Sequence, residues 1–174
     1  MPVRITIVEY DDAWPAKYEA EAELLRVALG PVATRIDHVG STSVPGLGAK
    51  PIIDINVSVA TLLPMEPYRE PLERAGYVYV EDVNDNGVDE LPFFPKPATE
   101  PRAFHVHIVE ADTYNERRHL LFRDWLRTHP DDRAAYERHK RDLATREWGR
   151  GQDYADAKTD FITTIVDQAT NSAR

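Results

Sequence analysis

The run Val39-Gly40-Ser41, followed after twelve residues by Asp54-Ile55-Asn56-Val57, sets a small-residue turn and a carboxylate at a spacing that suits phosphate chemistry. Glycine has no Cβ, so backbone N–H groups at a Gly-Ser turn can approach phosphate oxygens, and the hydroxyls of Ser41, Thr42 and Ser43 add donors. On a strand, Asp54 and Asn56 share a face, where a carboxylate and an amide oxygen can hold the divalent cation that bridges phosphates. A phosphate loop beside a metal carboxylate describes a phosphoryl- or nucleotidyl-transfer site. The plainer alternative for Gly40 to Ser43 is a tight turn with no ligand. For Asp54 it is a structural ion pair with Lys50 or Arg102, because an unpaired carboxylate among isoleucines is expensive to bury.

His105 and His107 form a second constellation. Two imidazoles two residues apart on a strand, near Asp54 and Asn56, suit Zn²⁺ or another transition metal rather than Mg²⁺. One of them as a general base toward a hydroxyl acceptor is an alternative reading, the reference pKa of about 6.5 fitting that task. Buried, hydrogen-bonded structural histidines are the third. Arg102, Arg123, Arg127, Lys140 and Lys158 are candidates for a groove that binds phosphate or another anion, although helical Arg and Lys most often face water, and Lys50 is expected to join Gly40 to Thr42 in binding a nucleoside triphosphate. Gly46-Leu47-Gly48-Ala49-Lys50 echoes a P-loop, but Pro51 follows the lysine where Ser or Thr is required.

The elements that position these residues can be read from periodicity. Val3 to Val8 alternates as a strand, and Asp11, Asp12 and Pro15 open a helix over about 13–29 that ends at Gly30. Arg35 to Val39 is a short strand running into the turn. From Ile52 the alternation puts Ile53, Ile55, Val57 and Val59 on one face and Asp54, Asn56 and Ser58 on the other. A short helix follows Pro64, Tyr77 to Val80 is a strand, Asn84-Asp85-Asn86-Gly87 is a hairpin turn, and Leu91 to Phe94 is a strand interrupted by Pro92. Phe104 to Val109 is the last strand. Thr113 and Glu116 have the spacing of a capping box for a helix that stops before Pro130. Asp131 and Asp132 open another, and a third carries Tyr154, Lys158, Phe161 and Ile165 on one stripe. The expected organisation is one domain over residues 1–174, strand-rich over about 1–110 and helical over about 112–170.

Composition narrows the function. There is no cysteine, which excludes disulfides, thiolate metal sites and a cysteine nucleophile. The net charge of -9 argues against generic nucleic-acid binding, and no run approaches the ~20 apolar residues of a membrane span. Residues 1–111 carry 9 Lys+Arg against 18 Asp+Glu, whereas 112–160 carry 11 of each, so the strand-rich part is the acidic one. Met1 to Tyr10 lacks the apolar core of a secretory signal, and a cytoplasmic location is expected.

The spacing of hydrophobic residue, Gly, Ser and then Asp-hydrophobic-x-hydrophobic resembles the nucleotidyltransferase superfamily signature. More specifically, His38-Val39-Gly40-Ser41-Thr42-Ser43-Val44-Pro45-Gly46-Leu47 with Lys50-Pro51-Ile52-Ile53-Asp54-Ile55 resembles the GrpB family. Tyr10, Trp14, Pro15, Arg102, His105, His107, Phe122 to Arg127, His129, Pro130, Tyr136, Lys140, Tyr154, Lys158 and Phe161 extend the likeness over nearly the whole chain. The resemblance implies an α+β fold, a nucleotidyltransferase-like mixed β-sheet flanked by helices with a C-terminal helical part. It implies a nucleoside triphosphate or similar small phosphorylated ligand and a divalent metal, Mg²⁺ or Mn²⁺ first and Zn²⁺ or another transition metal second. One departure bears on chemistry: Asn56 stands where active transferases carry a second Asp or Glu, and an amide brings no charge to offset a cation. A non-catalytic anion- or nucleotide-binding module and a His/Asp metalloenzyme are therefore kept as alternatives.

Overall fold

A computed structural model describes residues 2–81 and 91–172. The elements are β1 (Val3–Arg4), α1 (Trp14–Leu29), β2 (Arg35–Val39), β3 (Ile53–Val59), α2 (Glu66–Arg74), β4 (Phe93–Lys96), β5 (Phe104–Glu110), α3 (Tyr114–Thr128), α4 (Pro130–Ala144), β6 (Glu147–Trp148), α5 (Gly151–Asp156) and α6 (Thr159–Ser172). Four strands form a mixed sheet in the order β2-β3-β5-β4, with β3 and β5 parallel and both outer strands antiparallel to their neighbours. Among the described residues no helix is long and apolar enough to cross a membrane.

The central strands are expected to be apolar on one face, and the structure shows where that face goes. Ile53, Ile55 and Val57 of β3 and Val106 and Ile108 of β5 pack with Trp14, Leu25, Tyr68, Leu72 and Phe94 in the main core. The opposite face is buried as well, since Asn56 and Ser58 are buried polar residues. Helix α3 supplies what makes this possible: Ser58 donates to Glu116 Oε1 at 2.5 Å, and Asn56 pairs with the His119 ring. Buried polar groups persist where such partners exist.

A second core joins the turn after β2 to the C-terminal helices, with Val44 and Leu47 packed among Phe122, Leu126, Tyr136, Ile162, Ile165 and Val166. Residues near the N-terminus meet the segment that follows α4 through the antiparallel pair of β1 and β6.

Several expected elements differ. The alternation of Val3 to Val8 yields only a two-residue strand and an isolated bridge from Val8 to Ala49, because its pairing partners are a two-residue strand and a loop. Tyr77 to Val80 contributes a single bridge, Val80 to Phe93, rather than a strand. Strand β4 starts beyond Pro92 and includes Pro95. The Thr113/Glu116 capping box does not form: Thr113 donates its hydroxyl to Glu110 O, and Glu116 is taken by Ser58 and by the N–H of Asp112. The stripe from Tyr154 to Ile165 belongs to two helices, α5 and α6, broken between them. The expected turn at Asn84 to Gly87 lies outside the described residues.

Candidate functional site

Strand β2 delivers the chain to Gly40, whose φ of +69° is readily available to glycine. The residue also has no room for a side chain: a Cβ there would stand 2.5 Å from Asp54 Oδ2. The turn and the carboxylate are thus packed on each other, as their sequence spacing suggests. Thr42 and Ser43 turn inward. The Thr42 hydroxyl pairs with His38 Nε2 at 2.9 Å, and Ser43 donates to Gly40 O at 2.5 Å. Ser41 alone of the three hydroxyl residues lines the open space beside Asp54.

That space is a cavity of about 90 Å³ lined by Gly40, Ser41, Asp54, Arg118, His119, Phe122, Tyr136, Lys158 and Ile162. Its floor is the turn and Asp54; its wall is α3, α4 and the C-terminal helices. Arg118 and Lys158 bring cationic side chains to it, and Tyr136 adds a phenol that burial keeps protonated well above the ordinary tyrosine range. The space is open on one side and of a size that admits a phosphoryl group.

Asp54 is held between its two oxygens' surroundings. Oδ2 lies toward Gly40, while Oδ1 lies 3.4 Å from His105 Nδ1 and 3.7 Å from His107 Nε2. The parallel register of β3 and β5 sets this pairing, aligning Asp54 with His105 and Asn56 with His107. These distances exceed those of strong hydrogen bonds, so the contacts are mainly electrostatic. Burial opposes ionisation of Asp54, and the two imidazoles outweigh it, holding the carboxyl well below the usual carboxylate range. Burial pushes the His105 pKa down, opposed by Asp54. With 31% of its side-chain surface open, the ionised Asp54 remains within reach of a ligand.

The other predicted residues fall into two groups. Arg123 donates to His38 O at 3.0 Å, Arg127 donates twice to Ser43 O, and Lys140 donates to Gly48 O. All three spend hydrogen bonds on backbone carbonyls of β2 and the loop that follows it, fixing the turn's shape. Lys140 is 2% exposed, and burial together with the neighbouring Lys158 lowers its pKa to about 7. Glu137 completes the clasp by accepting from the Gly48 N–H at 3.1 Å. Lys50 and Arg102 line no part of the cavity; they stand at the N-terminal ends of β3 and β5, on the histidine side of Asp54.

Two cavity residues escape sequence reading, Arg118 and His119. Both sit in the first half of α3, and their relevance follows only from α3 lying across the polar face of β3. The pairing of Asn56 with His119 could not be anticipated from local spacing, the two being 63 residues apart.

For a divalent cation, the chain offers one ionised carboxylate beside the turn, while the Asn56 amide is engaged by His119. Mg²⁺ typically keeps several waters and binds one or two carboxylates together with ligand phosphates, so a cation arriving with its phosphate fits Asp54. Among the described residues no group of three or more His, Asp or Glu is arranged to hold a metal by itself.

Comparison with known proteins places this geometry. The GrpB protein family matches residues 4–168. A UPF0157 protein of Halalkalibacterium halodurans is 41% identical over 95% of this chain and 82% of its own length. The crystal structure of the conserved protein GrpB from Enterococcus faecalis superposes with a TM-score of 0.81 at 34% identity, covering 97% of this chain and 99% of that one. The Cid1 poly(U) polymerase shares the fold at a TM-score of 0.53 and 15% identity, over 80% of this chain and 45% of its own. The mixed sheet with flanking helices is therefore of the nucleotidyltransferase type. With the match running nearly end to end, the chain belongs to the GrpB protein family.

Proposed function

We propose that this protein binds the phosphate groups of a nucleoside triphosphate in the cavity between Gly40-Ser41 and the helical wall. A Mg²⁺ or Mn²⁺ ion, carried in with the phosphates and held by Asp54, would support nucleotidyl transfer to an acceptor. The observation that carries this reading is the convergence of four features on one phosphoryl-sized space: a Cβ-free turn, an ionised carboxylate, and the cationic Arg118 and Lys158. Such a space gives an anion and its cation compensating charge of both signs. The shared fold adds support, since Cid1 has been crystallised with MgATP.

In this scheme His105 and His107 keep Asp54 ionised and oriented, and the helical wall takes the phosphate charge. The cation supplies Lewis-acid stabilisation of a phosphoryl oxygen. Sugar and base extend out through the open side of the cavity.

A second reading, a binding module without catalysis, is favoured by one observation. The amide of Asn56 is turned to His119, which leaves Asp54 as the single carboxylate on the cavity among the described residues. Calorimetric titration of metal-stripped protein with each nucleoside triphosphate, with and without Mg²⁺ or Mn²⁺, separates the two. Binding that requires the cation and is lost in Asp54→Ala supports the transfer site. Binding that needs no metal and survives the substitution supports the module, and no binding of any triphosphate removes both.

A further inference from the structure

The parallel strands β3 and β5 begin side by side, Ile53 donating its N–H to Ala103 O. Lys50 and Arg102, just upstream of each, are brought to the same edge of the site. Asp54, Glu100 and Arg102 are all near enough to act on the Lys50 charge, and burial holds that ammonium below its usual range. Among the described residues, none lies within hydrogen-bonding or ion-pairing distance of the Lys50 amine. Arg102 Nε is buried and makes no hydrogen bond, and its ion pair with Glu100 Oε1 is long, 3.6 Å, to a residue that is largely exposed.

His105 adds a third group. Its Nδ1 faces Asp54, which places the ring proton there and leaves Nε2 with a lone pair. That Nε2 is buried and has no partner either. Lys50 is close enough to act on His105 as well. Buried polar atoms are rarely left without a hydrogen bond, and two such atoms, Arg102 Nε and His105 Nε2, on residues flanking the start of β5 and near the Lys50 ammonium, mark a partner that is missing.

We infer that Lys50, Arg102 and His105 form a second site, on the Oδ1 side of Asp54, for a small anionic acceptor that carries a hydroxyl beside its phosphate or carboxylate group. The two cations take the oxyanion. The Nε2 lone pair of His105 accepts a hydrogen bond from the acceptor hydroxyl. In its role as an acceptor site the inference rests on the function proposed above; as an anion site it stands alone.

The test uses metal-free protein titrated with inorganic phosphate, acetate and glycolate, read by calorimetry and by the ¹⁵N shift of the His105 imidazole. Phosphate binding with a shift at His105 assigns a phosphate acceptor; binding of the carboxylates, glycolate at least threefold tighter than acetate, assigns a hydroxy acid. Lys50→Met and Arg102→Gln are each expected to weaken the bound anion at least tenfold while Mn²⁺-triphosphate binding changes less than threefold. His105→Ala is expected to erase the preference for glycolate and to leave acetate unchanged.

Absence of binding by all three anions overturns the inference. So does anion binding that is untouched by Lys50→Met and Arg102→Gln but lost in Lys158→Met, since the anion then occupies the triphosphate cavity. Should either variant fail to fold, the His105 shift in the wild-type protein decides alone. Loss of triphosphate binding with the Lys50-dependent anion retained would reject the proposed function and keep this site.

Discussion

Asp54 occupies the space that a side chain at Gly40 would need, its Oδ2 falling 2.5 Å from where a Cβ would be built. The pair explains why the turn is tied to one residue type. Two demands meet at position 40, a left-handed φ and an absent Cβ, and each alone would favour glycine.

Gly40→Ala should therefore be more damaging than its size suggests. The backbone at φ +69° and ψ -172° is open essentially to glycine and costs an L-residue roughly 1–3 kcal/mol, and the clash displaces Asp54 in addition. In a chain of this length about 1 kcal/mol corresponds to about 2–4 °C in melting temperature, so a fall of at least about 4 °C is expected by differential scanning calorimetry. Metal-dependent triphosphate binding should fall further than stability does. A variant with unchanged melting and binding would show that the turn is free to move off Asp54.

Glu116 and Thr113 give a contrast that the sequence alone would order wrongly. Their spacing suggests a capping box, in which both matter about equally. In the structure Glu116 serves the buried Ser58 hydroxyl and the Asp112 N–H, while Thr113 makes one bond to Glu110 O. Glu116→Ala should cost about 2–4 kcal/mol, because it strands two donors, and Thr113→Ala about 1 kcal/mol. Urea denaturation of the two variants measures the difference. Equal losses would restore the capping box.

How much of this was legible beforehand follows the same division. The turn, β2, β3, β5 and their facing residues follow from local alternation, because one buried face imposes a period of two. The link between Gly40 and Asp54 was legible from spacing, since a strand, a turn and a return strand keep both ends close. What escaped depends on α3. Neither Arg118 nor His119 carries a periodic mark of its function, and the burial of Asn56 and Ser58 is decided by partners on a helix far along the chain. Likewise Arg123 and Lys140 read as anion binders by charge, yet each is committed to a backbone carbonyl whose position no local pattern reveals.

Asn56→Asp tests what the missing carboxylate does. The substitution restores a second acidic oxygen two residues from Asp54, and Mn²⁺ affinity in the presence of triphosphate should rise about tenfold or more. Because position 56 is 1% exposed, the new charge is buried, and the variant should melt several degrees lower than the wild type. Calorimetric metal titration and thermal melting check both statements. Unchanged metal affinity would mean that the cation, if bound, does not approach this side of β3.

His38 supplies the pH dependence of the turn. Its ring stacks on Tyr18 at 4.7 Å and pairs with Thr42, and burial lowers its pKa from 6.5 to about 4, against the opposing pull of Asp54. As pH falls through 6.5 the unfolded chain takes up a proton that the folded protein refuses until about 4, so the unfolded state binds more protons in that window and stability falls with pH. The displacement corresponds to roughly 3 kcal/mol lost between pH 6.5 and 4. His105, whose pKa also lies below its ordinary value, adds to the loss in the same direction, whereas Asp54 adds its own loss only from the acid end of that window downward, as pH falls through the range where an unfolded carboxylate titrates. Urea unfolding at pH 7.0, 5.5 and 4.5, values spanning roughly that window, should show the decline in the wild type and a shallower one in His38→Gln. An identical decline in both would assign the acid sensitivity to His105 and remove His38 as the group that ties the turn to pH.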